Sequence, residues 1–148
     1  LAVMPDNSRL FAADPVMGVF VVDPKAQQAA LLGGPENLNL AGIEVIEFAD
    51  GHLFIVQGGI TPQRLLRLKL DDTGSAAAEV SPMAIALEPF DGPRLSTIRG
   101  SDLYYFANQG TGSAEAGAII MRTALDAGSS IQPPDLEQLE RALQPSSR

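Results

Sequence analysis

Residues 44–56, with the sequence EVIEFADGHLFIV, contain two short apolar runs separated by an Asp-Gly pair at 50–51. Both central residues of a type I′ turn need a positive φ, which Asp and Gly tolerate, so the stretch predicts a β-hairpin. Turn residues occupy the same place one repeat later, at 100–102 (Gly-Ser-Asp), and one repeat earlier, at 6–8 (Asp-Asn-Ser). The hairpin is therefore expected to recur along the chain.

The second strand of this hairpin belongs to a repeated pattern. Residues 53–56 (Leu-Phe-Ile-Val) resemble residues 10–13 (Leu-Phe-Ala-Ala) and 103–106 (Leu-Tyr-Tyr-Phe). From position 10 to 53 is 43 residues, and from 53 to 103 is 50 residues. Each run is followed by a loop and a second strand-like run, which ends at Asp23, Asp71 or Asp126. A period of about 40–50 residues built of short strands is typical of a β-propeller, in which each repeat forms one four-stranded blade.

We therefore predict an all-β chain with a partial propeller over residues 1–126, its blades at about 1–33, 42–83 and 94–126. In each blade an inner strand A leads through a tight turn to strands B, C and D, and the third blade is expected to be incomplete. Three blades are fewer than the roughly 4–8 that close a propeller, and they leave open edges that native proteins usually cover. The chain is accordingly expected to be a piece of a longer protein or to pair with a second copy.

The strand pattern stops after Asp126, and residues 127–148 are predicted to form a linker and tail. Asp135 followed by Gln138 resembles a capping box. Three leucines share one helical stripe, at positions 136, 139 and 143. A short helix from about Asp135 to Gln144 is predicted, with a frayed tail as the alternative.

Composition excludes several classes of partner. The net charge of −8, with 10 basic residues against 18 acidic ones, argues against nucleic acid, which needs clustered Lys and Arg. No run approaches the roughly 18 consecutive apolar residues of a membrane-spanning helix, so the chain is predicted to be soluble. The absence of Cys removes disulfides and thiolate chemistry but selects no compartment, so a periplasmic or secreted location stays open.

The loop edge of the predicted blades is the candidate functional site. The distance from the first residue of strand B to the Asp that ends strand C grows from 13 residues (10 to 23) to 18 (53 to 71) and 23 (103 to 126). Variable loops on a rigid scaffold often carry function. The candidate ligand-binding side chains on this edge are Asn37, Asn39, Gln57, Asn108 and Gln109. The alternative for the asparagines is a local role, because Asn often hydrogen-bonds its own backbone in turns.

Other polar residues give weaker indications of chemistry. His52, the single histidine, follows a hairpin turn on the opposite edge and is predicted to be a solvated turn residue rather than a base. Glu44 and Glu47 lie three apart on one strand, hence on opposite faces, and form no acid–base pair. Arg64 and Arg67 are predicted to be rim charges. Residues 58–59 (Gly-Gly) are interpreted as a flexible loop tip.

Four segments of the repeat carry a resemblance to a known family: residues 42–45 (Gly-Ile-Glu-Val), 50–56, 64–68 (Arg-Leu-Leu-Arg-Leu) and 100–108. This succession resembles the later blades of the gluconolactonase, regucalcin and senescence-marker-protein superfamily, over most of residues 9–126. The resemblance implies a six-bladed propeller of which this chain supplies the C-terminal half. It also implies metal-assisted hydrolysis of a lactone or ester by the full-length parent. The alternative is a non-catalytic propeller that binds a small molecule or a protein on its loop face.

The resemblance further implies a divalent metal such as calcium, held by Glu, Asn and Asp side chains that precede the inner strands. Such oxygen donors suit a hard cation. The matching position in the second repeat is Ala41, and residues 93–96 (Pro-Arg-Leu-Ser) of the third repeat also lack a carboxylate. Asn39 is the nearest candidate ligand. We therefore predict that this chain alone does not bind calcium tightly.

Overall fold

The computed structural model describes residues 1–108 and 117–131. Regular secondary structure in these residues consists of β-strands, without a helix. The strands are β1 (Ala2–Val3), β2 (Leu10–Asp14), β3 (Gly18–Asp23), β4 (Gln28–Leu31), β5 (Ile43–Ala49), β6 (His52–Gln57), β7 (Arg64–Leu70), β8 (Ala77–Ile85), β9 (Arg94–Arg99), β10 (Asp102–Phe106), β11 (Ile120–Ala124) and β12 (Ser130–Ile131). The predicted helix from Asp135 to Gln144 lies outside the described residues.

The strands form three sheets in chain order. Sheet 1 contains β1 to β4, sheet 2 contains β5 to β8, and sheet 3 contains β9 to β11. Neighbouring strands of these sets are antiparallel throughout. The predicted all-β class and its antiparallel sheets are thus confirmed, and the arrangement fits a propeller fragment in its coarse features. Within the described residues the third sheet has three strands, fewer than the four of sheet 1 and the four that sheet 2 takes from β5 to β8, as predicted for an incomplete third blade.

One strand departs from the expected pattern. The chain was predicted to leave the sheets after Asp126, but β12 adds to the outer edge of sheet 2, parallel to β8. Ser130 pairs with Ala84, and the hydroxyl of Ser129 donates a hydrogen bond to the carbonyl of Pro82. A two-residue strand has no periodicity to recognise, so its position depends on the edge it joins.

The three sheets stack face to face. We call the side of a sheet that points to the next sheet in chain order its forward face, and the opposite side its backward face. The forward face of sheet 1 packs on the backward face of sheet 2. The packed residues of sheet 1 include Phe11, Val19 and Val21, and those of sheet 2 include Leu53, Ile55, Leu66 and Leu68. The forward face of sheet 2 packs in the same way on sheet 3. Phe54, Val56 and Leu65 of sheet 2 pack with Leu103 and Tyr105 of sheet 3. Sheet 2 is therefore covered on both sides.

Burial of the B strands follows from this stacking. In β6 the four apolar residues 53–56 are all buried, as expected for a strand with two covered faces. In β2 and β10 burial is restricted to alternate positions, represented by Phe11 in β2 and by Leu103 and Tyr105 in β10. The similar B-strand sequences thus have different environments, because sheets 1 and 3 each have one face that no described residue covers.

Tight turns close the edge opposite the variable loops. Asp50 and Gly51 have φ values of 47° and 75°, which confirms the predicted type I′ conformation between β5 and β6. Asn7 and Gly100 occupy the equivalent turns with φ values of 57° and 61°. Within residues 1–108 and 117–131, we find no helix with the length and apolar character required to cross a membrane.

Candidate ligand-binding cleft

A cleft of about 410 Å³ opens where the connection from sheet 1 to sheet 2 passes over β7 and β8. Its polar lining comes from Asn37, Asn39, Arg64 and Glu79, and its apolar walls include Leu66, Val80, Pro82 and Ile85. Gly33, which begins the connection, donates a hydrogen bond to Ser75 O and accepts one from Ala77 N, at 3.0 and 2.8 Å. These two bonds hold the connection beside the first residues of β8.

Gln57 lies behind the cleft and organises it. Its side chain is fully buried, with 0% exposure. Nε2 donates hydrogen bonds to the carbonyl oxygens of Asn39, at 3.1 Å, and Ala41, at 2.6 Å, while Oε1 accepts a bond from Arg64 Nε at 2.7 Å. Gln57 was predicted to face a ligand, but all of its polar atoms are used within the protein. It is a positioning residue for the connection and for Arg64.

Arg64 is the cation of the cleft. Besides the bond to Gln57, its Nη2 donates to the carbonyl of Asn39 at 2.9 Å. A guanidinium has five N–H donors, so three remain beyond these two bonds. No carboxylate of the described residues lies within ion-pair distance of Arg64. Arg64 is thus held by neutral acceptors and has N–H groups for a further partner.

Partial burial lowers the pKa of Arg64 from its ordinary value. An arginine nevertheless stays protonated in proteins, so the cleft contains a permanent positive charge. Glu79, the acidic residue in the lining, pairs instead with Lys69 at 3.2 Å. Both side chains of that pair are largely exposed, and such pairs contribute little to stability. The arrangement suits an anion with two oxygens in a plane, because the guanidinium fork matches a carboxylate.

Asn37 and Asn39 lie on the exposed rim of the cleft. The side-chain oxygen Oδ1 of Asn39 accepts a hydrogen bond from Ala41 N at 2.9 Å, which is the local turn bond given above as the alternative. This oxygen is therefore engaged within the turn. Among the residues that the structure describes, we find no group of three His, Asp or Glu side chains placed to hold a metal ion. The described side chains do not fit the calcium site that the family resemblance implies.

Asn108 is separate from the cleft, and no cleft-lining atom belongs to it. Its Oδ1 accepts a hydrogen bond from Ile119 N at 2.9 Å, and its backbone bridges to Asp91. These bonds tie Asn108 to the residues that precede β9 and β11. Gln109, the remaining candidate, lies outside the described residues. The structure therefore brings Asn37, Asn39 and Gln57 together and leaves Asn108 apart.

The other polar residues have structural contacts. His52 Nδ1 lies 2.7 Å from the carbonyl oxygen of Asp50 in its own hairpin turn. Ser96 donates a hydrogen bond to Glu47 Oε1 at 3.0 Å and so links sheet 3 to sheet 2. Arg67 Nη1 donates to the carbonyl of Leu125 at 2.8 Å, a second link between these sheets. Arg67, which was predicted to be a rim charge, is therefore engaged in a hydrogen bond between sheets 2 and 3.

Sequence reasoning also treated Arg64 as a rim charge and missed its place in the site. Gln57 and Arg64 are register partners, the last residue of β6 and the first of β7. Residues 58–63 separate them in the sequence, so their pairing depends on the strand register. The sequence feature that could have identified the pair is a Gln that ends one apolar strand and an Arg that begins the next, on either side of the loop.

Comparisons with protein-family models, with curated proteins and with solved structures found no match to this chain.

Proposed function

We propose that this chain supplies three blades of a six-bladed propeller and that its cleft binds a small carboxylate ligand through Arg64. The observation that carries the proposal is a guanidinium fixed by two neutral acceptors, Gln57 Oε1 and Asn39 O, without a carboxylate partner among the described residues. Fixing the cation in advance reduces the ordering cost of binding. The three stacked sheets support the propeller part of the proposal.

The size and lining of the cleft narrow the ligand class. A volume of about 410 Å³ lies within the range of roughly 300–1,000 Å³ typical of small-molecule sites. Asn37 provides a further hydrogen-bonding group in the lining, while Leu66 and Pro82 provide apolar contact. The ligand that fits this set is a hydroxycarboxylate, with its carboxylate on Arg64 and its hydroxyls toward the other polar groups.

The chain's net charge of −8 opposes anion binding at long range. At physiological ionic strength, however, interactions between exposed charges fade over about 8 Å. Arg64 contacts its ligand directly and at a partly desolvated site, where screening is weaker. The positive charge of Arg64 therefore determines that the cleft prefers a negatively charged ligand.

Hydroxycarboxylate binding is compatible with both interpretations of the sequence. Hydrolysis of a lactone yields a hydroxycarboxylate, so the cleft could retain the product of the reaction that the gluconolactonase resemblance implies. Metal-assisted hydrolysis by the full-length parent stays a prediction based on that resemblance. Non-catalytic binding of a small molecule is the function that we favour, because the Asn39 side-chain oxygen is already engaged.

Calorimetric titration of the 148-residue chain with gluconate tests the proposal, with hexanoate as a carboxylate that lacks hydroxyls. We expect gluconate to bind, and Arg64→Gln to weaken binding at least tenfold, with partial recovery in Arg64→Lys. Arg99→Gln, at an exposed position away from the cleft, is the matched control and should bind as the wild type does. Equal affinity in the wild type and Arg64→Gln, or no heat with either acid, would refute the proposal. Adding gluconolactone to the same proteins measures hydrolysis separately.

A further inference from the structure

The register of the three sheets shows that one packing interface occurs twice within the chain. Leu10, Leu53 and Leu103 begin equivalent B-strand segments, and each points backward, while the next residue points forward. The forward-pointing residues of the B strands are Phe11 and Ala13 in sheet 1, Phe54 and Val56 in sheet 2, and Tyr104 and Phe106 in sheet 3. In sheets 1 and 2 these residues pack on the following sheet. A forward face thus meets a backward face at both internal interfaces.

The forward face of sheet 3 has the same character, but no described residue covers it. An apolar groove of about 200 Å³ runs along it, lined by Leu95, Thr97, Tyr104, Phe106 and Ile120 among others. Leu95 and Ile120 are 63% and 61% exposed. Leu95 also has a positive φ of 46° at the bulge between β9 and β10, a conformation that is unfavourable for a branched apolar residue. The surface has the properties of a packing face without its partner.

The backward face of sheet 1 is uncovered in the same way. Register pairing places Val3 beside Leu10, Ala12 beside Phe20, and Phe20 beside Leu31, all on this side. Val3 and Leu31 are 43% and 47% exposed. In sheets 2 and 3 the equivalent faces are buried against the preceding sheet. The two ends of the stack therefore present the two complementary halves of an interface that the chain already contains.

We propose that the forward face of sheet 3 docks on the backward face of sheet 1 in a second copy of this chain. The contact is head-to-tail, and such a contact either closes a ring or continues into a filament. Propellers close with about 4–8 sheets. Two copies of the three described sheets make six, whereas three copies make nine, so the closed form of the 148-residue chain is a ring of two copies.

Arg122 adds polar complementarity to this apolar contact. Arg122 is paired with Tyr104, as Arg67 is paired with Phe54, so the two arginines occupy equivalent forward positions. Arg67 donates its hydrogen bond to Leu125 O of the next sheet. The equivalent carbonyl of sheet 1 belongs to Pro24, two residues after Val22, which pairs with Leu10. Arg122 is therefore expected to donate to Pro24 O of the second copy.

The present contact of Arg122 leaves it available for that role. Its Nη1 lies 3.9 Å from Asp102 Oδ2, and the Arg122 side chain is 67% exposed. An exposed pair at this distance contributes little and is easily exchanged. The proposal rests on the repeated interface and not on the Arg64 cleft.

Sedimentation equilibrium of the 148-residue chain and two surface variants tests the proposal. Ile120→Lys blocks the forward face and Phe20→Lys blocks the backward face, and each variant alone should be monomeric while the wild type is a dimer. An equimolar mixture of the two should regain a dimer, weaker than the wild-type dimer, because one intact forward face then meets one intact backward face while the second interface of the ring joins the two Lys-bearing faces. Val16→Lys, at an exposed loop position, should dimerise as the wild type does. Arg122→Gln should weaken dimerisation about tenfold, and it serves as the test if a Lys variant fails to fold.

A wild-type chain that stays monomeric at high concentration would overturn the second copy as occupant and would leave other polypeptide segments to cover these faces. Two monomeric variants that do not dimerise when mixed, or a wild type that polymerises, would overturn the head-to-tail ring of two. Ligand binding is not measured in this experiment, so its failure is distinguishable from failure of the cleft proposal.

Discussion

Gln57 and Arg64 form the register pair of β6 and β7 next to the loop that joins these strands, and Arg64 Nε donates a hydrogen bond to Gln57 Oε1 at 2.7 Å. The same Gln57 side chain holds the carbonyls of Asn39 and Ala41. The buried Gln57 amide therefore links the connection between sheets 1 and 2 to Arg64, the cation of the cleft. Because Gln57 holds Arg64 in place, we expect Gln57 to control ligand binding without contacting the ligand.

Replacing Gln57 by Leu should destabilise the fold and weaken carboxylate binding together. The substitution removes the donor that Gln57 supplies to the carbonyls of Asn39 and Ala41 and releases Arg64. A hydrogen bond contributes about 0.5–1.5 kcal/mol net, so we expect the loss of these three bonds to lower the free energy of unfolding by urea by about 1–3 kcal/mol. Gln28→Leu, at an exposed position of β4, is the control and should change it by less than about 0.5 kcal/mol. A Gln57→Leu variant as stable as this control would show that the amide network is not required.

Replacing Arg67 by Met should loosen sheet 3 from sheet 2. The substitution keeps most of the apolar stem but removes the hydrogen bond to Leu125 O. Hydrogen bonds of charged groups contribute about 1.5–3 kcal/mol, and partial exposure of this side chain places the expected loss near the lower value. Denaturant unfolding measures it, with Arg99→Met as the exposed control. Equal midpoints for the two variants would contradict the prediction.

Replacing Gly58 by Ala should disturb the loop edge, because a Cβ atom there would lie 2.3 Å from the carbonyl oxygen of Pro93. The obstacle is backbone, so relief requires the segment before β9 to move. Overpacking of this kind costs about 1–3 kcal/mol in the free energy of unfolding. A Cβ atom at Gly128 would have no neighbour within 4 Å, and Gly128→Ala is the matched control. A Gly58→Ala variant with the same melting temperature as Gly128→Ala would contradict the predicted clash between the new Cβ atom and Pro93 O.

Acid should destabilise the chain through the carboxylate of Asp71. Backbone hydrogen bonding from Ser75 is the main cause that lowers the pKa of Asp71 below its ordinary value of 3.8, with smaller contributions from Ala76 N and nearby hydroxyls. Because the folded-state pKa is the lower one, the ionised form favours the fold above pH 3.8, and this contribution disappears as the pH falls through the folded pKa.

Melting temperatures of the wild type and Asp71→Asn, measured between about pH 7 and 3, test this dependence. The variant should be less stable at pH 7 and should lose less stability on acidification. Asp72→Asn, in the same turn, is the control and should follow the wild-type curve. Parallel curves for Asp71→Asn and the wild type would show that the turn carboxylate does not contribute to the acid sensitivity.

Local sequence signals were sufficient for the elements of the fold. The Asp50-Gly51 pair predicted its hairpin because a type I′ turn depends on backbone preferences of adjacent residues. The recurring B and C runs predicted three antiparallel sheets for a similar reason, since short apolar strands between turns reflect local propensity and burial. These features depend on neighbours in sequence, and so they are visible in it.

Only the tertiary structure decided the cleft and the end faces. Arg64 became the cation of a site because strand register brings it to Gln57, and the sheet 1 connection brings the Asn39 carbonyl to both. Similar B strands became fully buried in sheet 2 but half covered in sheets 1 and 3, because burial depends on what packs against each face. Hydrogen bonds and packing act between atoms that are close in space, whereas the sequence orders residues only along the chain.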